Sequence, residues 1–174
     1  MPDRATTFLL LKKGNPAEPN NYRPITCLSV VYKLFTSLNS QKIQNHCWIN
    51  KLIGEEQKGC IKGALGRKHQ LTIDAIVLKQ EQVKKRNIHM CYIDYTKAFD
   101  SVPHDWLIKT LEIYKISQPI IDCLLKIMAT WRTNIRLNNK NFGPADLKRG
   151  IIQDDSLSPI WFCLSLNPLS SLLN

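Results

Sequence analysis

The middle of the sequence reads Cys91-Tyr92-Ile93-Asp94-Tyr95-Thr96-Lys97-Ala98-Phe99-Asp100-Ser101-Val102. Its first residues continue an apolar run that starts at His89, and this run predicts a short strand over 89–93 that ends at Asp94. The residues that follow predict a tight turn. A carboxylate at the tip of an apolar strand is costly to place near a core unless a cation meets it. Because hard divalent cations take oxygen ligands from aspartate, the stretch indicates a metal site at Asp94.

Positive charge is concentrated in the first half of the chain. The 174 residues carry a formal net charge of +10, and 44% of them are hydrophobic, which is enough for a packed core. Residues 1–87 contain 15 Lys and Arg against 6 Asp and Glu, whereas residues 88–174 contain 9 against 8. This asymmetry suits a polyanion held by one part and chemistry carried out by the other, although a solvated basic surface explains the charge equally well.

The spacing of apolar residues predicts strands and helices interspersed along the chain. Strands are predicted at 7–11 and 133–137, and the second of these turns at Asn138-Asn139 into a hairpin return. Apolar residues at a period near 3.6 predict an amphipathic helix over 29–49 and another over about 69–86. Pro103, Ser117 with Pro119, and the run 156–159 each mark the start of a further helix. This order predicts an α+β fold.

The composition also bears on where the protein works. The most apolar stretch, 159–173, is interrupted by Asn167 and Pro168 and is too short to span a bilayer. The first residues do not form a secretory leader. The sequence therefore predicts an intracellular protein, cytoplasmic or nuclear, that is not secreted and has no membrane partner.

Four segments, in colinear order, resemble motifs of the reverse transcriptases of non-LTR (LINE-like) retrotransposons. One match of this kind would be weak evidence, whereas four in the right order are specific. The matching segments are Leu10–Pro16 with Asn21–Ile25, Glu56–Cys60 with Gly63 and Gly66, Asp94–His104, and Gly150–Pro159.

This resemblance implies a right-hand polymerase fold with fingers and an incomplete palm sheet packed by helices. Residues 1–88 would form the fingers and the fingers–palm connection, and residues 89–174 a partial palm. The implied activity is RNA-directed DNA polymerisation by two-metal phosphoryl transfer with Mg²⁺ or Mn²⁺. The implied partners are an RNA template, a DNA primer and deoxynucleoside triphosphates, whereas protein partners are not specified.

The resemblance also implies roles for individual residues. Asp94 would be the catalytic residue and a metal ligand, and Asp100 a structural carboxylate of the turn. The side chain of Lys97 is either solvated or near substrate. Each cation could also be an ordinary surface charge, and Phe99 an ordinary core ring. The implied nucleotide-binding residues are Arg23, Lys13, Phe99 and Gln153, and the implied nucleic-acid-binding residues are Gly150, Lys12, Lys62 and Arg67.

Two departures from the family pattern bear on activity. Asp154 stands where the family has a glycine, which allows close approach of nucleic acid and unusual backbone angles. The paired-aspartate hairpin that completes the metal site does not occur within the 174 residues. The sequence therefore predicts a catalytically incomplete polymerase fragment. A non-catalytic RNA-binding module is the alternative, and a metal nuclease using Asp94 with Asp100 or Asp154 is a weaker one.

Overall fold

A computed structural model describes residues 5–59, 66–138 and 140–173. Within them the chain combines a four-stranded sheet with six α-helices and one 3₁₀ turn, Pro19–Asn21, so it is a mixed α/β structure. The strands are β1 (Ala5–Leu11), β2 (Tyr22–Cys27), β3 (Arg132–Leu137) and β4 (Lys140–Asp146). The helices are α1 (Val30–Ile49), α2 (Arg67–Val83), α3 (Ala98–Ser101), α4 (His104–Ile113), α5 (Gln118–Met128) and α6 (Ser158–Leu173).

The sheet has the strand order β2-β1-β3-β4 and joins strands from both halves of the sequence. β1 is antiparallel to β2 and parallel to β3, and β3 and β4 form the predicted hairpin. The buried hydroxyls of Thr7, Thr26 and Thr133 hydrogen-bond in a row at 2.8 Å across three strands. Each edge strand contains a proline, Pro24 or Pro144, which removes a donor from the open edge and so discourages further pairing.

Helices α1, α4 and α5 begin where the sequence predicts. Ser29 caps α1, since its hydroxyl accepts a hydrogen bond from the backbone N–H of Tyr32 at 3.3 Å. Pro103 is the N-cap of α4, and Pro119 lies in the first turn of α5, where a missing N–H costs nothing. Among the described residues, no helix is long and apolar enough to cross a membrane.

The hydrophobic core lies between α4, α5, α6 and the C-terminal half of α1. Leu107, Leu111, Leu124 and Leu164 are at most 1% exposed. Trp161 lies among them, and its indole N–H donates to the backbone carbonyl of Leu107 at 3.0 Å. A buried tryptophan needs such a partner because an unpaired indole N–H in an apolar core is costly. This core positions the two segments that lead into its helices: residues 94–103 lead into α4, and residues 147–159 lead into α6.

The strand predicted over 89–93 is absent, and that prediction was wrong. Residues 86–95 have no regular secondary structure, and the side chains of Tyr92 and Ile93 are 74% and 62% exposed. A strand is stabilised by ladder hydrogen bonds to a neighbour, and none of the four described strands pairs with this segment. The apolar composition of the segment is therefore not enough to make it a strand here.

Helix α1 is present as predicted, but its buried face is apolar only at its C-terminal end, where Ile43 and Cys47 enter the core. Val30 and Leu34 are 82% and 63% exposed, whereas Thr36, Asn39 and Ser40 are buried. The buried polar side chains are satisfied: Asn39 donates to the carbonyl of Phe35, and Thr36 donates to Asp155. Small polar residues with satisfied hydrogen bonds allow close packing at low cost, and the apolar residues of α1 that precede Ile43 are left facing solvent.

Candidate active site

Three of the resembling segments meet at one open cleft of about 1130 Å³. One wall comes from the loop and strand after β1, the second from the turn that follows Asp94, and the floor from the loop before α6. Five of the predicted site residues line this cleft: Lys12, Arg23, Asp94, Phe99 and Gln153. The cleft therefore brings together residues that are up to 141 positions apart in the sequence.

The turn after Asp94 has an unusual backbone. Lys97 has φ of 50°, in the left-handed region, and it is the residue before the single-turn helix α3. The hydroxyl of Ser101 closes the turn by donating to the carbonyl of Lys97 at 2.8 Å. Asp94 itself is exposed at the cleft. The chain reversal at Lys97 places the Asp94 carboxylate and the Phe99 ring on the same cleft.

The turn is fixed to the loop before α6 by backbone contacts. The N–H of Gly150 donates to the carbonyl of Val102, and the N–H of Ile151 donates to the carbonyl of Phe99, each at 2.8 Å. Gly150 has φ of +88°, and a Cβ added there would lie 2.9 Å from the Cα and carbonyl oxygen of Asp100. Glycine is thus required at this position for both conformation and space. Gly150 is buried against the protein backbone and does not line the cleft.

Gln153 and Asp100 form a side-chain pair at the cleft. The Nε2 amide group of Gln153 donates to Oδ1 of Asp100 at 3.2 Å. Because a carboxylate accepts and does not donate, this bond fixes which end of the Gln153 amide faces Asp100. Both residues line the cleft, so the pair joins the turn after Asp94 to the loop before α6 inside the cleft.

Phe99 is both a cleft residue and a packing residue. Its ring stacks on Phe162 of α6, with ring centroids 4.4 Å apart and an angle of 16° between the planes. The side chain is half-buried at the edge of the core, and it also lines the cleft. The stacking fixes the ring in place, so a ligand entering the cleft would meet a rigid apolar wall.

The predicted cations fall into two groups. Lys12 and Arg23 line the cleft, and Arg23 is exposed on the edge strand β2. Lys13 is exposed and does not line the cleft. Lys62 and the side chain of Arg67 lie outside the described residues. Of the three predicted cations whose side chains the structure describes, the geometry thus brings two to the cleft.

The loop before α6 contains two adjacent aspartates with different surroundings. Asp154 is exposed and has φ of 73°, so the position where the family has glycine does adopt a left-handed backbone. Asp155 is buried and accepts a hydrogen bond from the hydroxyl of Thr36. Burial raises the pKa of Asp155, against the opposing effects of the Thr36 hydroxyl, of the backbone N–H groups of Leu157 and Ser156, and of the charge on Lys33.

Asp155 also affects a neighbouring tyrosine on α1. Burial and then the negative charge of Asp155 raise the pKa of Tyr32, while a hydrogen bond from the indole of Trp131 at 2.9 Å opposes the rise. The two aspartates therefore have different structural roles. Asp155 joins the cleft floor to α1, whereas Asp154 places a charge in the cleft.

Some cleft residues were not predicted from the sequence. Asn20, Tyr22 and Ser156 line the cleft, as does Lys97, whose role the sequence left open. Asn20 and Tyr22 are close in sequence to Arg23, and that proximity is the one signal that could have identified them. The contact of Asn20 with Lys97, which lies 77 positions later in the chain, has no signal in a single sequence.

Comparison with known proteins agrees with this arrangement. Residues 10–174 match the family described as reverse transcriptase (RNA-dependent DNA polymerase). The match covers nearly the whole chain, and it includes every segment that forms the cleft. The chain belongs to the reverse transcriptase family.

Its relatives include proteins of transposons and retrotransposable elements. The chain is 26% identical over 175 residues to the transposon TX1 uncharacterized 149 kDa protein of Xenopus laevis, with 98% of this chain and 13% of the relative covered. It is 27% identical over 161 residues to a probable RNA-directed DNA polymerase from transposon BS of Drosophila melanogaster, covering 91% and 17%. It is 26% identical over 170 residues to the Pol polyprotein of element R2DM from the same fly, covering 95% and 15%. The chain thus spans less than a fifth of the length of these three proteins.

Members of the family generally use divalent metal ions, so we tested whether the cleft fits one. Among the described residues, no three His, Cys, Asp or Glu side chains come together in a way that could hold a metal ion. Asp94 supplies one exposed carboxylate, whereas Mg²⁺ requires near-octahedral oxygen ligation. The described residues therefore do not fit a complete metal site.

Proposed function

We propose that this chain forms the nucleotide-binding part of an RNA-directed DNA polymerase of the non-LTR type, with the cleft as its substrate site. The observation that supports this most directly is the convergence of Lys12, Arg23, Asp94, Phe99 and Gln153 on one cleft. The substrates are deoxynucleoside triphosphates, and the partners are an RNA template and a DNA primer. In the right-hand polymerase fold, residues 1–88 form the fingers and the fingers–palm connection, and residues 89–174 form part of the palm.

The cleft offers distinct groups to each part of a nucleotide. The guanidinium of Arg23 can bind two phosphate oxygens at once, and the ammonium of Lys12 acts as a point charge. The rigid ring of Phe99 presents an apolar surface to the sugar, where a ribose 2′-hydroxyl would be crowded. Gln153, held by Asp100, presents an oriented amide to the nucleotide or the template. These residues bind and orient, and Asp94 contributes one carboxylate for metal binding with Mg²⁺ or Mn²⁺.

Triphosphate binding tests this proposal on the chain as it stands. We expect saturable binding of dATP with Mg²⁺, and we expect Arg23→Met to weaken it about 10- to 100-fold, because charge-assisted hydrogen bonds contribute about 1.5–3 kcal/mol. Arg86→Met is the matched control, since Arg86 is exposed, lies outside the cleft and carries the same charge. Its affinity should stay within about twofold of the unchanged chain.

Primer extension on an RNA template separates binding from turnover. Because no three of the described His, Cys, Asp or Glu side chains come together as a metal site, we expect no Mg²⁺-dependent incorporation from the 174 residues, while the template–primer still binds. Incorporation that is lost in Asp94→Asn would mean that another acidic group completes the metal site. RNA binding that falls steeply with salt, without any binding of dATP, would instead favour a non-catalytic RNA-binding module.

A further inference from the structure

A hydrogen bond crosses the cleft between two segments that are distant in sequence. The ammonium of Lys97 donates to the side-chain oxygen of Asn20 at 2.9 Å, and both residues are exposed cleft residues. Asn20 lies in the 3₁₀ turn between Lys12 and Arg23, while Lys97 follows Asp94 by three positions. The contact therefore joins the cationic wall of the cleft to the turn that carries the carboxylate.

The loop that presents Asn20 is braced from within. The backbone N–H of Lys12 donates to the carbonyl of Asn21 at 2.8 Å, and the Asn21 amide donates to the carbonyl of Asn15 at 3.0 Å. The hydroxyl of Tyr22 donates to the carbonyl of Pro16 at 2.9 Å. These bonds brace the backbone on both sides of Asn20, so that its side-chain oxygen is presented towards the Lys97 ammonium.

Lys97 keeps its positive charge available to a ligand. Among the described residues, the ion pairs are Lys109–Glu112 and Arg132–Asp146, so no carboxylate neutralises Lys97. Its described bond is to a neutral amide oxygen, and an ammonium has three N–H donors, which leaves two for an anion. The Asp100 carboxylate accepts from Gln153, and the Asp155 carboxylate is buried on Thr36.

We propose that Lys97 is a triphosphate-binding residue, held ready across the cleft by Asn20. The inference rests on the proposed function of the cleft. Lys97, Lys12 and Arg23 are the cationic side chains of the cleft lining, and they share it with the aspartates Asp94, Asp100, Asp154 and Asp155. A triphosphate carries enough negative charge to engage more than one of these cations. A phosphate oxygen carries a negative charge, so its bond to the Lys97 ammonium joins two ionised groups and is stronger than the bond to the neutral amide oxygen of Asn20. Lys97 therefore binds a phosphate group of the ligand non-covalently.

The test measures binding of dATP with Mg²⁺, of inorganic tripolyphosphate and of deoxyadenosine to the whole chain at constant ionic strength. Lys97→Met removes the charge and keeps the length of the side chain. Lys115→Met is its matched control, because Lys115 is also exposed, also has a left-handed backbone at φ of 55°, and does not line the cleft. Asn20→Ala removes the group that orients the ammonium, and thermal unfolding of each variant verifies the fold.

We expect Lys97→Met to weaken dATP and tripolyphosphate binding about tenfold, while weak binding of deoxyadenosine is unchanged. Lys115→Met should leave all three within about twofold. Asn20→Ala should weaken triphosphate binding about threefold, and it should have no further effect once Lys97 is methionine. That lack of additivity would show that Asn20 acts through Lys97.

Other outcomes overturn the inference in distinguishable ways. If Arg23→Met weakens triphosphate binding and Lys97→Met behaves like Lys115→Met, the Lys97 inference is wrong while the proposed function stands. If Lys97→Met weakens RNA binding and leaves triphosphate binding unchanged, the residue serves the nucleic-acid backbone instead. If the unchanged chain binds neither triphosphate probe, both the proposed function and the inference fail.

Discussion

Replacing Gly150 by alanine tests whether the close contact between the loop before α6 and the turn at Asp100 holds the cleft in shape. The residue has φ of +88°, which costs a non-glycine residue about 1–2 kcal/mol. The added Cβ would also lie 2.9 Å from backbone atoms of Asp100, which cannot rotate away as a side chain can. Overpacking of this kind costs about 1–3 kcal/mol. We therefore expect Gly150→Ala to lower the free energy of unfolding by about 2–5 kcal/mol.

Gly143→Ala is the control that separates the two costs. Gly143 has φ of +89°, so its backbone cost is matched, but nothing lies within 4 Å of an added Cβ. Urea denaturation should show a loss of about 1–2 kcal/mol for Gly143→Ala and a clearly larger one for Gly150→Ala. Equal losses would refute the claim that Gly150 holds the Asp100 turn by close contact. A larger loss should be accompanied by weaker dATP binding, since Asp100 holds Gln153.

Two further predictions concern the adjacent aspartates before α6. Asp154→Gly should change the free energy of unfolding by no more than about 1 kcal/mol, because relief of the left-handed backbone is offset by the entropy of glycine. The loss of one cleft charge should tighten binding of an RNA–DNA template–primer about two- to fivefold in fluorescence anisotropy, and weaker binding would contradict this. For Asp155, the raised pKa means that the folded state binds the proton more tightly than the unfolded state does. Asp155 therefore stabilises the fold below pH about 4, and this stabilisation is lost as the pH rises through the pKa of the folded state. Compared with Asp155→Asn, the unchanged chain should therefore lose stability between pH 4 and pH 7 in urea denaturation, and parallel profiles would refute the shift.

Local signals in the sequence predicted most of the helices and strands. Capping residues and prolines predicted the starts of α1, α4 and α5, and alternation with a turn predicted the β3–β4 hairpin. These features depend on residues close in the chain, which is why one sequence contains enough information. The strand at 89–93 failed because strand formation depends on a neighbour, and the segment composition does not report whether that neighbour is present.

The buried face of α1 was also out of reach of periodicity. An apolar stripe normally predicts the buried side of a helix. Here Ile43 of the apolar stripe is buried, but Thr36 is buried as well because it meets a carboxylate that comes 119 residues later in the chain. The partner of a buried polar group lies elsewhere in the chain, so the sequence of the helix alone does not predict the burial of Thr36. The same reason hid the contact of Lys97 with Asn20.

The cleft is held by two kinds of contact, and they differ in strength. Its floor is joined to the Asp94 turn by backbone hydrogen bonds from Gly150 and Ile151 and by stacking of Phe99 on Phe162, all next to the buried core. Across the opening, by contrast, the turn meets the cationic wall through the exposed Lys97–Asn20 bond. Exposed hydrogen bonds contribute little net stability because water competes for both partners. A substrate that binds both walls would therefore change the position of the cationic wall more easily than that of the floor, so the side that we propose to bind phosphate is also the more adaptable one.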